Sequence, residues 1–157
     1  MLRSALPLLV CLLVPNFCIA QVSPDALRHK EAGNHFLKQR EYEKARDQYL
    51  SAILLEPGYE DAHYNLGVIY FFRLQDYPRA LYHFVEYTRL HPGAEDLPQV
   101  RYLSIQALQK VEESDRRDYA TALERGTVEA LEHYQVEHPG SPYHDDAERK
   151  LASIRSR

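Results

Sequence analysis

The 157-residue sequence has no tryptophan, and its two cysteines, Cys11 and Cys18, both fall before residue 20. Beyond that point no thiol exists to act as nucleophile, metal ligand or half of a disulfide. There is no Gly-x-Ser-x-Gly elbow, phosphate-cradling glycine loop, dinucleotide fingerprint or H-E-x-x-H run, which removes the enzyme classes that short motifs mark. Adjacent carboxylates such as Glu112–Glu113 and Asp145–Asp146 point apart on a helix and read as solvated charges. No enzyme and no cofactor are therefore expected. The charge balance, 19 basic against 23 acidic residues, lacks the basic stripe that nucleic acid requires. The apolar run from Ala5 to Val14 is too short to span a bilayer comfortably and contains Pro7. No stretch alternates as a strand does.

The residues that are present fall into an N-terminal leader and a repeat. Met1-Leu2-Arg3 is a short positive start, followed by the apolar run and the small-residue ending Cys18-Ile19-Ala20. This reads as a cleaved secretory signal over 1–20, with Gln21 as the new N-terminus and 21–25 as a linker. Neither cysteine follows a small residue, as acylation would need, so a soluble exported protein is expected, periplasmic or secreted. Beyond the leader, Gly33 and Gly67 stand 34 apart, as do Phe36 and Tyr70. The lag then becomes 35: Tyr42 with Tyr77, Ala45 with Ala80, Tyr49 with Phe84, Pro57 with Pro92. One extra residue between Tyr70 and Tyr77 accounts for the change, and a loop is expected to hold it. A period in this range marks a solenoid of helix pairs.

Gly33-x-x-Phe36, Tyr42-x-x-Ala45, Tyr49, Ala52 and Pro57, with their counterparts Leu66-Gly67-x-x-Tyr70, Tyr77-x-x-Ala80, Phe84 and Pro92, resemble the tetratricopeptide repeat. The packing logic is direct. Gly33 and Gly67 stand where a side chain would hold the second helix away, and Ala45, Ala52 and Ala80 serve the same closeness. Tyr87 departs from the small residue expected in the slot of Ala52, and His29 and His63 occupy a slot where the family often has Trp. Over 26–94 the resemblance implies two repeats with helices near 25–40, 43–56, 60–74 and 77–91, Asp25 capping the first. Over 95–157 further helices are expected near 96–112, 115–125, 128–138 and 143–155, the last a polar cap. Gly126-Thr127 reads as a stop and an N-cap. Tyr134 through Gly140 echoes Tyr87 through Gly93 at a lag of 47. The run from Gly126 to Leu151 resembles degenerate units of bacterial envelope proteins, of the outer-membrane assembly lipoprotein and Tol–Pal coordinator type. The expectation is an all-α, right-handed solenoid of about eight helices.

Such a fold implies a protein or peptide partner held in the concave groove, which the first helix of each pair lines. The face opposite Gly33 and Gly67 offers Lys30, Asn34, Tyr64, Asn65, Val68, Phe71 and Phe72, with Arg101 beyond. Exposed aromatics favour an interface. Lys30, Asn34 and Asn65 also match three residues of the carboxylate clamp found in some tetratricopeptide domains. Two alternatives stand beside the adaptor: a homo-oligomeric scaffold using the same apolar surface, and an enzyme accessory or metal carrier through His138 and His144. Metal spacing is poor throughout, since His29 and His63 lie a helix pair apart and His133 and His138 on different sides of a helix. No metal is expected.

Overall fold

In the computed structural model, residues 22–156 are described, so the expected cleaved segment 1–20 lies outside the described residues. Those residues form seven α-helices and no strand. They are α1 (Pro24–Lys38), α2 (Tyr42–Leu55), α3 (Glu60–Ile69), α4 (Tyr77–Leu90), α5 (Leu97–Arg125), α6 (Val128–Glu137) and α7 (His144–Arg155). Successive helices pack on one another: α1 with α2, α3 with α4, and α5 with α4 and α6.

The two glycines act as expected. A Cβ on Gly33 would sit 2.8 Å from the Tyr49 ring, and one on Gly67 would sit 2.6 Å from the Phe84 ring. Each ring closes on a bare backbone, and the two contacts are copies at the repeat lag. Ala45, Ala52 and Ala80 are fully buried on the second helices. Tyr87, the oversized residue in the Ala52 slot, is buried between α3 and α5: its ring lies 5.3 Å from that of Tyr64, and its hydroxyl donates to Asp96 at 2.8 Å.

Three expectations need correction. The extra residue of the second repeat is not in a loop. It is absorbed by a wide π turn, Tyr70–Leu74, that prolongs α3, with the Gln75 N–H donating to the Tyr70 carbonyl. In the first repeat the closing bond runs from the Glu41 N–H to the Phe36 carbonyl, five residues back; in the second it runs from Asp76 to Tyr70, six back. Both ends then turn through a left-handed residue, Arg40 (φ 63) and Gln75 (φ 53). A π turn holds one more residue without breaking the hydrogen-bond ladder, so Tyr77 starts α4 in the register of Tyr42.

The helices expected at 96–112 and 115–125 are one helix, α5, of 29 residues. At the expected break, the Ser114 hydroxyl donates to Asp118, while Asp115 accepts from Tyr134 and Ser141. Neither Gly nor Pro interrupts 99–125, so nothing stops the helix. The third correction is at α1, where Ser23, not Asp25, is the N-cap: its hydroxyl accepts from the Ala26 N–H at 3.4 Å, and Pro24 takes the first turn.

The lag of 47 has a structural meaning. The turns at His91–Pro92–Gly93–Ala94 and His138–Pro139–Gly140–Ser141 share a bonding pattern, with His91 donating to Tyr87 and His138 to Tyr134, both at 2.9 Å. The pair α4–α5 therefore corresponds to α6–α7, and the excess of 12 over the lag of 35 (47 − 35) is extra length in α5. Apolar residues gather in two clusters, one over α1–α5 as far as Leu103 and another of Tyr119, Ala122, Leu131, Tyr134, Ala147 and Leu151.

Candidate functional site

Most of the residues expected to meet a partner lie on α1 and on α3 with its π turn, and several of them touch α2 or α4. Lys30 Nζ lies 3.4 Å from Asp61 Oδ2, tying α1 to α3. The Asn34 side-chain oxygen accepts from the Tyr49 hydroxyl at 2.6 Å, and the Asn65 amide donates to the Asp61 carbonyl at 2.7 Å. All three residues that match a carboxylate clamp are thus engaged within the chain. A free carboxylate would have to displace Asp61 from Lys30, whose side chain is only 21% exposed.

The apolar members divide into support and display. Tyr64, Val68 and Phe71 are half-buried against the main cluster. Phe71 meets Tyr77 edge to face at 5.5 Å and Phe84 at 6.3 Å. Phe72 is 52% exposed, its ring edge to face with Phe71 at 4.8 Å. The patch is therefore one displayed ring standing on a fixed one, smaller than the run of aromatic letters implies. Arg101 is exposed but lies on α5, on a stripe with Ile105 and Leu108.

The histidines do something the sequence reading missed. His63 is buried, and its Nδ1 lies 3.1 Å from Nδ1 of His83 on α4. His63 Nε2 is 3.1 Å from the Pro57 carbonyl. A carbonyl only accepts, so His63 carries its proton on Nε2, and His83 donates from Nδ1. The ring of His83 stacks on Tyr70 at 5.6 Å. Burial holds both imidazoles below the ordinary histidine range, His83 down to about 4 with the neighbouring His63 adding to the effect. The same slots in the first repeat hold His29 and Gln48, 2.8 Å apart. The repeat lag that pairs Gln48 with His83 was the signal available.

In the C-terminal part, His138 stacks on Tyr134 and sits 3.2 Å from Asp115 and 3.6 Å from Asp118. Clefts of about 460 and 390 Å³ flank it, one between α5 and α6 and the other reaching Tyr77 and Pro78 of α4. Both are open troughs lined by charged side chains. None of the expected groove residues lines them. His144 Nδ1 is buried without a hydrogen-bond partner on α7. Among the described residues, no three or more of His, Cys, Asp and Glu converge where an ion would be held.

Residues 30–95 match the family described as tetratricopeptide repeat. That segment is similar to a tetratricopeptide repeat, over less than half of the chain. No curated protein matches the chain. The match spans α2, α3 and α4, most of α1, and the turn after Pro92. Tetratricopeptide repeats serve as protein–protein interaction modules and are typically non-catalytic, and the similarity suggests an interaction module here.

Proposed function

We propose that the chain is an exported, non-enzymatic adaptor that holds a segment of a partner protein on the outer face of α1 and α3. The observation that carries this is Phe72, an exposed ring set edge to face on Phe71, which is itself half-buried against the main cluster. A rigidly seated aromatic with its face to solvent is a favoured anchor at interfaces. Lys30, Asn34 and Asn65 lie on the same face, and their bonds to Tyr49 and Asp61 hold it in a preformed shape, which lowers the ordering cost of binding. The leader over 1–20 and the cysteine-free remainder support export, and the envelope-type run from Gly126 to Leu151 supports the periplasm of a bacterial cell as the place of work.

In-cell crosslinking in the periplasm, followed by reconstitution of the captured partner with purified protein, tests this. Replacing Phe72 by Ala is expected to lower partner affinity by about tenfold or more, the loss of a buried aromatic anchor, with helicity unchanged. Tyr82→Ala, which removes a similarly exposed ring from α4, is expected to leave capture intact. Capture insensitive to Phe72 would place binding on another face. An intact mass beginning at Met1 instead of Gln21 would remove the export reading.

A further inference from the structure

We propose that the chain forms a two-fold dimer through the N-terminal half of α5, laid antiparallel on the same half-helix of a second copy. Arg101, Ile105, Leu108 and Glu112 follow one another at intervals of four, three and four. On a helix they fall within an arc of about 60°, the seam geometry of paired helices. The stripe continues without a break as Asp115, Tyr119 and Ala122. That second half is covered by the chain's own α6 and α7. Tyr119 is 7% and Ala122 5% exposed, Asp115 accepts from Tyr134 and Ser141, and Tyr119 donates to Asp146. The first half has no cover: Ile105 is 57% and Leu108 45% exposed.

The cause is the 12-residue excess in α5. In the first two pairs the second helix lies along the whole of the first, whereas α6, with 10 residues, reaches only the far end of a 29-residue partner. About three turns of packing face are left over.

The charges choose the occupant and its direction. With a two-fold axis between Ile105 and Leu108, residue i faces residue 213 − i of the second copy, since 105 + 108 = 213. Because 101 + 112 = 213 as well, Arg101 then meets Glu112 of the second copy, and Glu112 meets its Arg101. Neither forms an ion pair within the described residues. A parallel pairing would set Arg101 against Arg101 and is disfavoured. The half-helix is short, about 18 Å, so the interface lies at the small end of the range for specific complexes and the dimer depends on concentration.

Sedimentation velocity on the full chain, from about 10 µM to about 1 mM, reads this directly. The average mass is expected to rise toward twice the monomer value. Arg101→Glu and Glu112→Arg are each expected to weaken the dimer about tenfold, because each turns two attractions into repulsions. The double variant is expected to return to within about threefold of the wild type. All four side chains of the stripe are exposed or half-exposed, so unchanged thermal midpoints serve as the folding control. A monomer at every concentration, a dimer indifferent to the single reversals, or a double variant that stays monomeric would each overturn the antiparallel pairing. A heterologous helix captured at Ile105 by a monomeric chain would show a different occupant.

Discussion

His63 and His83 are the residue pair whose chemistry is most exposed to solution conditions. Both are buried, both bond through Nδ1, and the arrangement requires a neutral His63. Protonating His63 at Nδ1 would set two N–H groups against each other, and Glu86 and Arg89 nearby pair with one another at 2.7 Å. The folded-state affinities for protons lie below the ordinary value, about 4 against 6.5 for His83, so the unfolded chain protonates first as pH falls. Stability is then fully present above about pH 6.5 and declines as pH drops toward 4, by on the order of 2–3 kcal/mol. Carboxylates such as Asp146 and Glu86, held below their usual range by hydrogen bonds from Tyr119 and Arg89, lose stability over a lower acid range. The His contribution is therefore read by comparison. His83→Gln, which installs the residue of the first repeat's Gln48, is expected to flatten the fall in urea midpoint between pH 7.5 and 4.5. An equal fall in both proteins would assign the acid sensitivity elsewhere.

At the scale of elements, the closeness of α3 and α4 depends on Gly67. The Cβ of alanine would lie 2.6 Å from two atoms of the Phe84 ring, itself fully buried and without room to withdraw. Overpacking of this kind costs about 1–3 kcal/mol, against about 1 kcal/mol gained in helix propensity. Gly67→Ala is expected to lower stability by a net of up to about 2 kcal/mol in chemical denaturation. Gly58→Ala, whose Cβ would meet only Leu90 at 3.7 Å, is expected to be near neutral. A neutral Gly67→Ala would mean that α4 shifts freely, contrary to the packing. The glycine and ring positions were readable because they recur at the repeat lag. The π turn was not, since a one-residue shift in lag says only that a residue was added. Whether a helix widens or a loop lengthens depends on Tyr70, whose ring must stay buried against His83 while Gln75 takes the left-handed turn.

For the whole molecule, α5 matters most, because it belongs to both apolar clusters. Its midpoint carries Asp115, which accepts from Tyr134 at 2.6 Å and from Ser141 at 2.9 Å and lies beside His138. This carboxylate gathers α6 and the turn into α7 onto α5. Replacing it by Ala leaves those donors short of a charged acceptor, a loss of about 2–3 kcal/mol. Hydrogen exchange on Asp115→Ala is expected to quicken in α6 and α7 and to stay unchanged in α1–α4, which pack in the other apolar cluster. Uniform quickening along the chain would show a single cooperative unit. Nothing in the local sequence marks Asp115 for this role, since Ser114-Asp115 has the same letters as a helix cap. Only the arrival of Tyr134 and Ser141, 19 and 26 residues away, decides otherwise.

The sequence by itself determined the helical class, the repeats read over 26–94 and matched over 30–95, the glycine–ring and alanine contacts, and the Gly126–Thr127 punctuation, where Gly126 adopts φ 61 and Thr127 accepts from Ala130. These are local or periodic properties: a left-handed turn, a bare backbone or a cap requires particular residues wherever it occurs. Tertiary structure alone decided which aromatics are displayed and which are supports, so that Phe72 faces solvent while Tyr64 and Phe71 pack inward. It also joined His63 to His83 and engaged Lys30, Asn34 and Asn65 with neighbours. It ran α5 through the break expected between 112 and 115 and left half of its stripe uncovered. Each of these depends on what another helix brings within reach, and a pattern read along one chain direction does not contain that distance.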